Sequence, residues 1–193
     1  MKKSIENEFL KITVSSKGAE LISICSQKTG MEYLWQGKSK RWEGKSPILF
    51  PIIASLENNR YQVGKDTYQL AIHGFAMHKK FQFISEEKNA LTFQLADDHS
   101  THKVYPYKFL LSVRYILDAN TVQTIYKVNN IDDKPIWFCI GGHPTFACPI
   151  EQHLAFTDYY LEFDKKEMAD RHLMTGALMN GQTEPFLQQE RSI

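Results

Sequence analysis

The chain has 193 residues, 42% of them hydrophobic and 12% aromatic, enough for one domain with a core of its own. Its 23 basic and 22 acidic side chains leave a formal net charge of +1 with no block of either sign, which argues against a nucleic-acid or anionic-membrane partner. No stretch reaches the roughly 20 apolar residues that a membrane span requires, and no linker or shift in composition divides the chain, so residues 1–193 read as a single domain.

The opening "MKKSIENEFLKITV" carries Glu6 and Glu8 soon after its two lysines, so it lacks the apolar core of a secretory signal. The three cysteines, Cys25, Cys139 and Cys148, are odd in number and have no metal-ligand spacing, which suits a reducing compartment. A soluble, cytoplasmic protein is the expectation. Further along, "RYQVGKDTYQL" places turn residues 64–66 between two short alternating runs and predicts a hairpin. In "LTFQL", Leu91, Phe93 and Leu95 alternate with polar residues, and "FLLSVRYIL" repeats the pattern from Phe109 to Leu117. A period of two buries one face of a strand. Turn chemistry follows at "DAN" (118–120) and "NNIDDKP" (129–135). The best helix candidate, "DKKEMADRHLM" (164–174), reads equally well as a charged strand and loop. An antiparallel all-β fold, sandwich or closed barrel, is the physical default.

Seven histidines are candidates for chemistry. His78, His99, His102, His153 and His172 have polar or charged neighbours and read as exposed. The "HSTH" spacing of His99 and His102 occurs in metal sites, but no third ligand is near in sequence, so no metal is expected. His73 in "AIHGFA" and His143 in "GGHPTF" differ: each sits in an apolar run beside glycine, which permits backbone angles and close approaches other residues forbid. One reading is a pocket wall. The other is a buried histidine satisfied by a carbonyl at a bulge.

The segments "IENEFLKITVSSKGAELISI", "EYLWQG", "SPILFPI", "NNRYQVGKDTYQLAIHGFA", "VYPYKFLLSVRY", "IGGHPTF" and "DYYLEF" occur in the order seen in the aldose 1-epimerase (galactose mutarotase) family. The resemblance covers nearly the whole chain and is nearest to the branch encoded beside lactose-utilisation genes. It implies a large twisted antiparallel β-sandwich with a concave sugar-binding face, and an isomerase needing no cofactor and no metal. The implied substrate is a free aldohexose, galactose or glucose, with a phosphorylated hexose as an outside possibility for which Lys79 and Lys80 are the nearby cations.

By motif position His143 matches the family's general acid and His73 a second pocket histidine holding the ring oxygen or a neighbouring hydroxyl. Arg60 matches an arginine that donates hydrogen bonds to sugar hydroxyls, Gly141 and Gly142 would let the ring approach, and Phe75 and Phe146 would line the pocket or belong to the core. Where the branch carries arginine and aspartate after "HGFA", this chain has Met77 and His78, and Ala54 and Ser55 replace a family glycine and arginine. The family continues well past the last residues here, and its general-base glutamate lies in that part, so the sandwich reads as C-terminally incomplete. Asp158 and Glu162, on an expected strand "TDYYLEF", are weaker substitutes. A sandwich lacking its last strands is expected to be a monomer, or a dimer through the exposed edge. Three readings stay open at this stage: an epimerase impaired for want of its base, a noncatalytic sugar-binding relic, and a protein-interaction β domain with structural histidines.

Overall fold

In a computed structural model of the protein, residues 1–37, 43–151, 153–165, 168–176 and 178–186 are described. Lys2–Glu6 (β1), Leu10–Ser15 (β2) and Glu20–Ser26 (β3) form an antiparallel three-stranded sheet. On β2, Ile12 and Val14 are fully buried while Lys11 between two apolar neighbours is exposed, so alternation gives this sheet one dry face. Ile48–Leu49 (β4) follows as a short buried strand, then the hairpin Arg60–Val63 (β5) and Asp66–Gln69 (β6), turning at Gly64 as the turn residues predict.

A second sheet, of four antiparallel strands, contains Gln82–Glu87 (β7), Ala90–Ala96 (β8), Phe109–Asp118 (β9) and Thr121–Asn130 (β10), in the order β10-β9-β8-β7. Between β8 and β9 lies a single helical turn, His99–His102 (α1). The Asp98 carboxylate caps it by accepting from the backbone N–H groups of Ser100 and Thr101 at 2.7 and 2.8 Å. Gly141–Gly142 (β11) pairs with β4, and Asp170–Thr175 (β12) pairs with Leu178–Pro185 (β13). Of the two readings left open for the charged segment 164–174, helix or strand and loop, the strand holds from Asp170 onward, where β13 supplies a ladder partner. Among the described residues "TDYYLEF" does not form the expected strand: Phe156–Asp158 is a 3-10 turn, and residues 159–163 pair with no described strand.

One hydrophobic cluster joins the two main sheets: Ile5, Ile12, Val14 and Leu21 from the first meet Leu91, Phe93, Leu111 and Val113 from the second. Phe50 sits in this core, with the rings of Phe75, Tyr105 and Phe109 within 6.0 Å of its own. Tyr115 crosses between the sheets: its wholly buried hydroxyl donates to the Ala19 carbonyl at 2.7 Å. The expected all-β antiparallel sandwich is what the chain forms.

The core closes unevenly. The inward residues of β9, from Phe109 to Leu117, are at most 2% exposed. Their counterparts on the neighbouring strand β10, Val122, Tyr126 and Val128, are only half-buried, and Thr124 in the same row is exposed. β10 pairs with β9 in unbroken register over its ten residues, and its other long edge meets no named strand among the described residues.

Candidate active site

The segment around His143 is held as an extended strand longer than β11 itself. Cys139 N–H donates to the Pro51 carbonyl at 2.8 Å, His143 N–H to Pro47 at 3.0 Å and Thr145 N–H to Lys45 at 2.7 Å. Alternation turns Phe138 toward the core side, its ring 5.7 Å from that of Phe50 although it stays 41% exposed, and puts Trp137, Cys139, Gly141 and His143 on the opposite side. His143 is exposed there. An ideal Cβ on Gly142 would lie 2.8 Å from the Tyr126 hydroxyl, and one on Gly141 would lie 3.0 Å from Ile53 Cδ1. The missing side chain of Gly142 thus makes room for a residue of β10.

His73 is placed by a different device. It has φ +64° and is followed by Gly74 at φ +74°. A Cβ on Gly74 would stand 2.3 Å from the Phe50 carbonyl oxygen, so only glycine fits. That oxygen accepts from both Phe75 N–H and Ala76 N–H, at 3.0 and 3.2 Å, which ties "HGFA" to the core. Ala54, itself at φ +63°, grips the histidine reciprocally: His73 N–H donates to the Ala54 carbonyl at 2.9 Å, and Ala54 N–H donates to His73 Nδ1 at 3.0 Å. Two non-glycine residues in the left-handed region, each bonded to the other, are the kind of strained arrangement that clusters at functional sites.

These two devices bring imidazoles 70 positions apart in sequence to a ring-centroid separation of 6.1 Å at an interplanar angle of 53°. Because a backbone N–H can only donate, His73 Nδ1 offers its lone pair to Ala54 and the neutral ring carries its proton on Nε2. Burial, and secondarily the charge of His143, hold the His73 pKa below the usual histidine value. The pair therefore sets a neutral His73 ring with a fixed donor nitrogen beside the imidazole of His143.

The other predicted residues are distributed differently. Arg60, exposed at the start of β5, lines an open polar cavity of about 550 Å³ with Glu57, Asn58, Tyr61, Gln62 and Thr67, and neither histidine contributes to that wall. Phe75 is only 9% exposed and packs edge-on against Phe50, so the core alternative describes its ring. Phe146, 59% exposed, stays on the surface. Asp158 accepts from Ala155 N–H at 2.7 Å and so caps its own turn, while Glu162 is exposed. His102 is half-buried rather than exposed, paired through Nε2 with Asp97 at 2.6 Å. Lys79 binds the Asp98 carboxylate and the Ser100 hydroxyl. Ala54, noted in the sequence only as a departure from the family pattern, grips His73, while Ile53 and Tyr126, which lie against the Cβ positions of Gly141 and Gly142, were not singled out from sequence.

The family model of aldose 1-epimerases matches residues 1–193. The chain belongs to the aldose 1-epimerase family. Among family relatives, the plasmid-encoded Protein LacX of Lactococcus lactis subsp. lactis is 32% identical over 198 residues, covering 98% of this chain and 66% of the relative. A galactose mutarotase related enzyme from Lactobacillus acidophilus is 34% identical with a TM-score of 0.91, over 96% of this chain and 63% of that one. A galactose mutarotase-like protein from Lactobacillus casei is 30% identical with a TM-score of 0.90, over 100% of this chain and 66% of that one. The chain thus spans about two thirds of the length of these family members. Among the described residues no group of three His, Cys, Asp or Glu side chains could hold a metal ion, and no helix is long and apolar enough to cross a membrane.

Proposed function

We propose that this family member interconverts the α and β anomers of a free aldohexose, galactose or glucose, without metal or cofactor. The observation that carries the reading is the His73–His143 pair, assembled on a solvent-accessible face by two strained or glycine-dependent backbone devices. Anomerisation opens a hemiacetal: a base takes the C1 hydroxyl proton as an acid protonates the ring oxygen, and the C1–O5 bond breaks to leave an aldehyde and a C5 hydroxyl. Rotation about C1–C2 and the reverse transfers close the ring on the other face. His143 supplies the acid, and His73 donates from Nε2 to the ring oxygen or a neighbouring hydroxyl, held in that tautomer by Ala54. Arg60 and the backbone at Gly142 are assigned to hydroxyl binding, and Phe75 supports the pocket from the core. Three free cysteines support a cytoplasmic location.

Binding without turnover is the second reading. It is favoured by Asp158, whose carboxylate is engaged in its own turn and so is not offered as a base. The deciding experiment follows the optical rotation of freshly dissolved α-D-galactose and α-D-glucose with wild type and His143→Ala. Acceleration by wild type that falls about 10² to 10⁴-fold in the variant supports the acid assignment. Saturable sugar binding without acceleration selects the second reading, and neither rate nor binding in folded protein rejects both.

A further inference from the structure

The chain between the two histidine devices folds back over the His143 strand. In the ladder of β11 and β4, Gly141 faces Leu49 and Gly142 faces Ile48, and the bond from Cys139 N–H to the Pro51 carbonyl continues that register. Carried further, the register would bring Ile53 level with Trp137. Instead the chain bends at 53–54, helped by the left-handed φ of +63° at Ala54, and the Ile53 side chain returns over Gly141. Its Cδ1 lies 3.0 Å, and its Cγ1 3.7 Å, from the position that a Cβ on Gly141 would take. Gly141 is outside the left-handed region, so the reason for glycine here is the space that Ile53 fills. Ile53 is 48% exposed, and the contact is therefore not part of the core.

This contact joins the two halves of the candidate site. Gly141 and His143 share one face of their strand, two residues or about 7 Å apart. Ala54 follows Ile53 directly and holds His73 through both its N–H and its carbonyl. We infer that Ile53, seated in the notch at Gly141, is a positioning residue that sets the His73 ring against the His143 ring. The main-chain bonds at Phe50 and Pro51 tie the two segments edge to edge. Height above the face that carries His143 is left to side-chain packing, and Ile53 Cδ1 supplies it. That height matters because two imidazoles serving one sugar must both reach its oxygens at hydrogen-bond distance. The inference deepens the anomerase reading and rests on it for rates, whereas the proximity of the two rings is measurable without turnover.

The test moves one methyl group across the contact. Gly141→Ala crowds Ile53, and Ile53→Val removes the δ-methyl; the double variant carries the methyl on residue 141 instead, with the remaining Cγ1 at an ordinary 3.7 Å. Anomerisation of galactose and the NOEs between the rings of His73 and His143 are measured for wild type and all three variants, with urea midpoints to verify folding. Each single variant should lower kcat about 3–10-fold with KM within about twofold of wild type, and should alter the ring-to-ring NOE. The double variant should recover kcat to within about twofold and restore the NOE. If wild type does not accelerate anomerisation, the anomerase reading fails while the NOE pattern still decides the positioning role. Single variants with an unchanged NOE, losses that multiply in the double variant, or a raised KM at unchanged kcat, which would make Ile53 a sugar contact, overturn the proposal.

Discussion

Replacing Gly74 with alanine should be among the most damaging single-methyl changes in the protein. Three effects combine. An L side chain at φ +74° costs about 1–2 kcal/mol by left-handed strain alone. The new Cβ would also sit 2.3 Å from the Phe50 carbonyl oxygen, 2.6 Å from its carbon and 2.7 Å from Pro51 Cδ, and two of those three atoms are backbone. Moving the oxygen from 2.3 Å to beyond the 3.0 Å limit of real contacts is a shift of at least 0.7 Å in a fully buried segment. Overpacking of that kind costs about 1–3 kcal/mol. The same oxygen accepts the Phe75 and Ala76 N–H groups, and weakening those two bonds adds about 1 kcal/mol. The total is about 3–6 kcal/mol, which at about 2–4 °C per kcal/mol lowers Tm by roughly 6–24 °C.

Gly30→Ala is the control: φ is +72°, yet nothing lies within 4 Å of its Cβ position, so only the strain of about 1–2 kcal/mol should appear. Urea unfolding followed by circular dichroism measures both variants against wild type. Equal losses would refute the assignment of Gly74 to close packing against Phe50. A large difference would show that the clamp placing His73 is part of the core.

Protonation of His73 is disfavoured in the folded state, so the unfolded chain binds the extra proton as pH falls through the window between the normal histidine pKa and the lowered folded value. Stability should be complete above about pH 6.5 and decline below it. His73→Asn keeps a δ acceptor for Ala54 N–H and tolerates a positive φ, so its urea midpoint should lose less than wild type between pH 7.5 and pH 5; identical slopes would sink the idea. Tyr115→Phe should destabilise by about 1–3 kcal/mol, because the buried Ala19 carbonyl loses its donor across the two sheets. Chemical denaturation measures this, and a change near zero would mean that the carbonyl finds another partner.

Much of the architecture was legible in the sequence, because alternation is a local consequence of strand geometry. β8 and β9 lie where Leu91, Phe93, Leu95 and the run from Phe109 to Leu117 predict them, and the β5–β6 hairpin turns at Gly64. Spaced motifs likewise marked His73 and His143 as a pair worth comparing, since glycine beside a histidine in an apolar run is a local signal. Other features depended on residues far away in the chain. The stretch from Asp170 became a strand because β13 pairs with it, whereas among the described residues "TDYYLEF" has no ladder partner.

The site shows the same division. Residue types and flanking glycines pointed to two histidines, but their separation, the tautomer imposed by Ala54, the exposure of His143 and the burial of Phe75 follow from how β4, β11 and the segment 54–76 come together. Those are contacts between residues tens of positions apart, and no local pattern encodes them. Sequence alone determined that the chain forms strands and carries the histidines. Tertiary packing decided which groups face each other and which are buried, because burial is a property of neighbours in space rather than of neighbours in the chain.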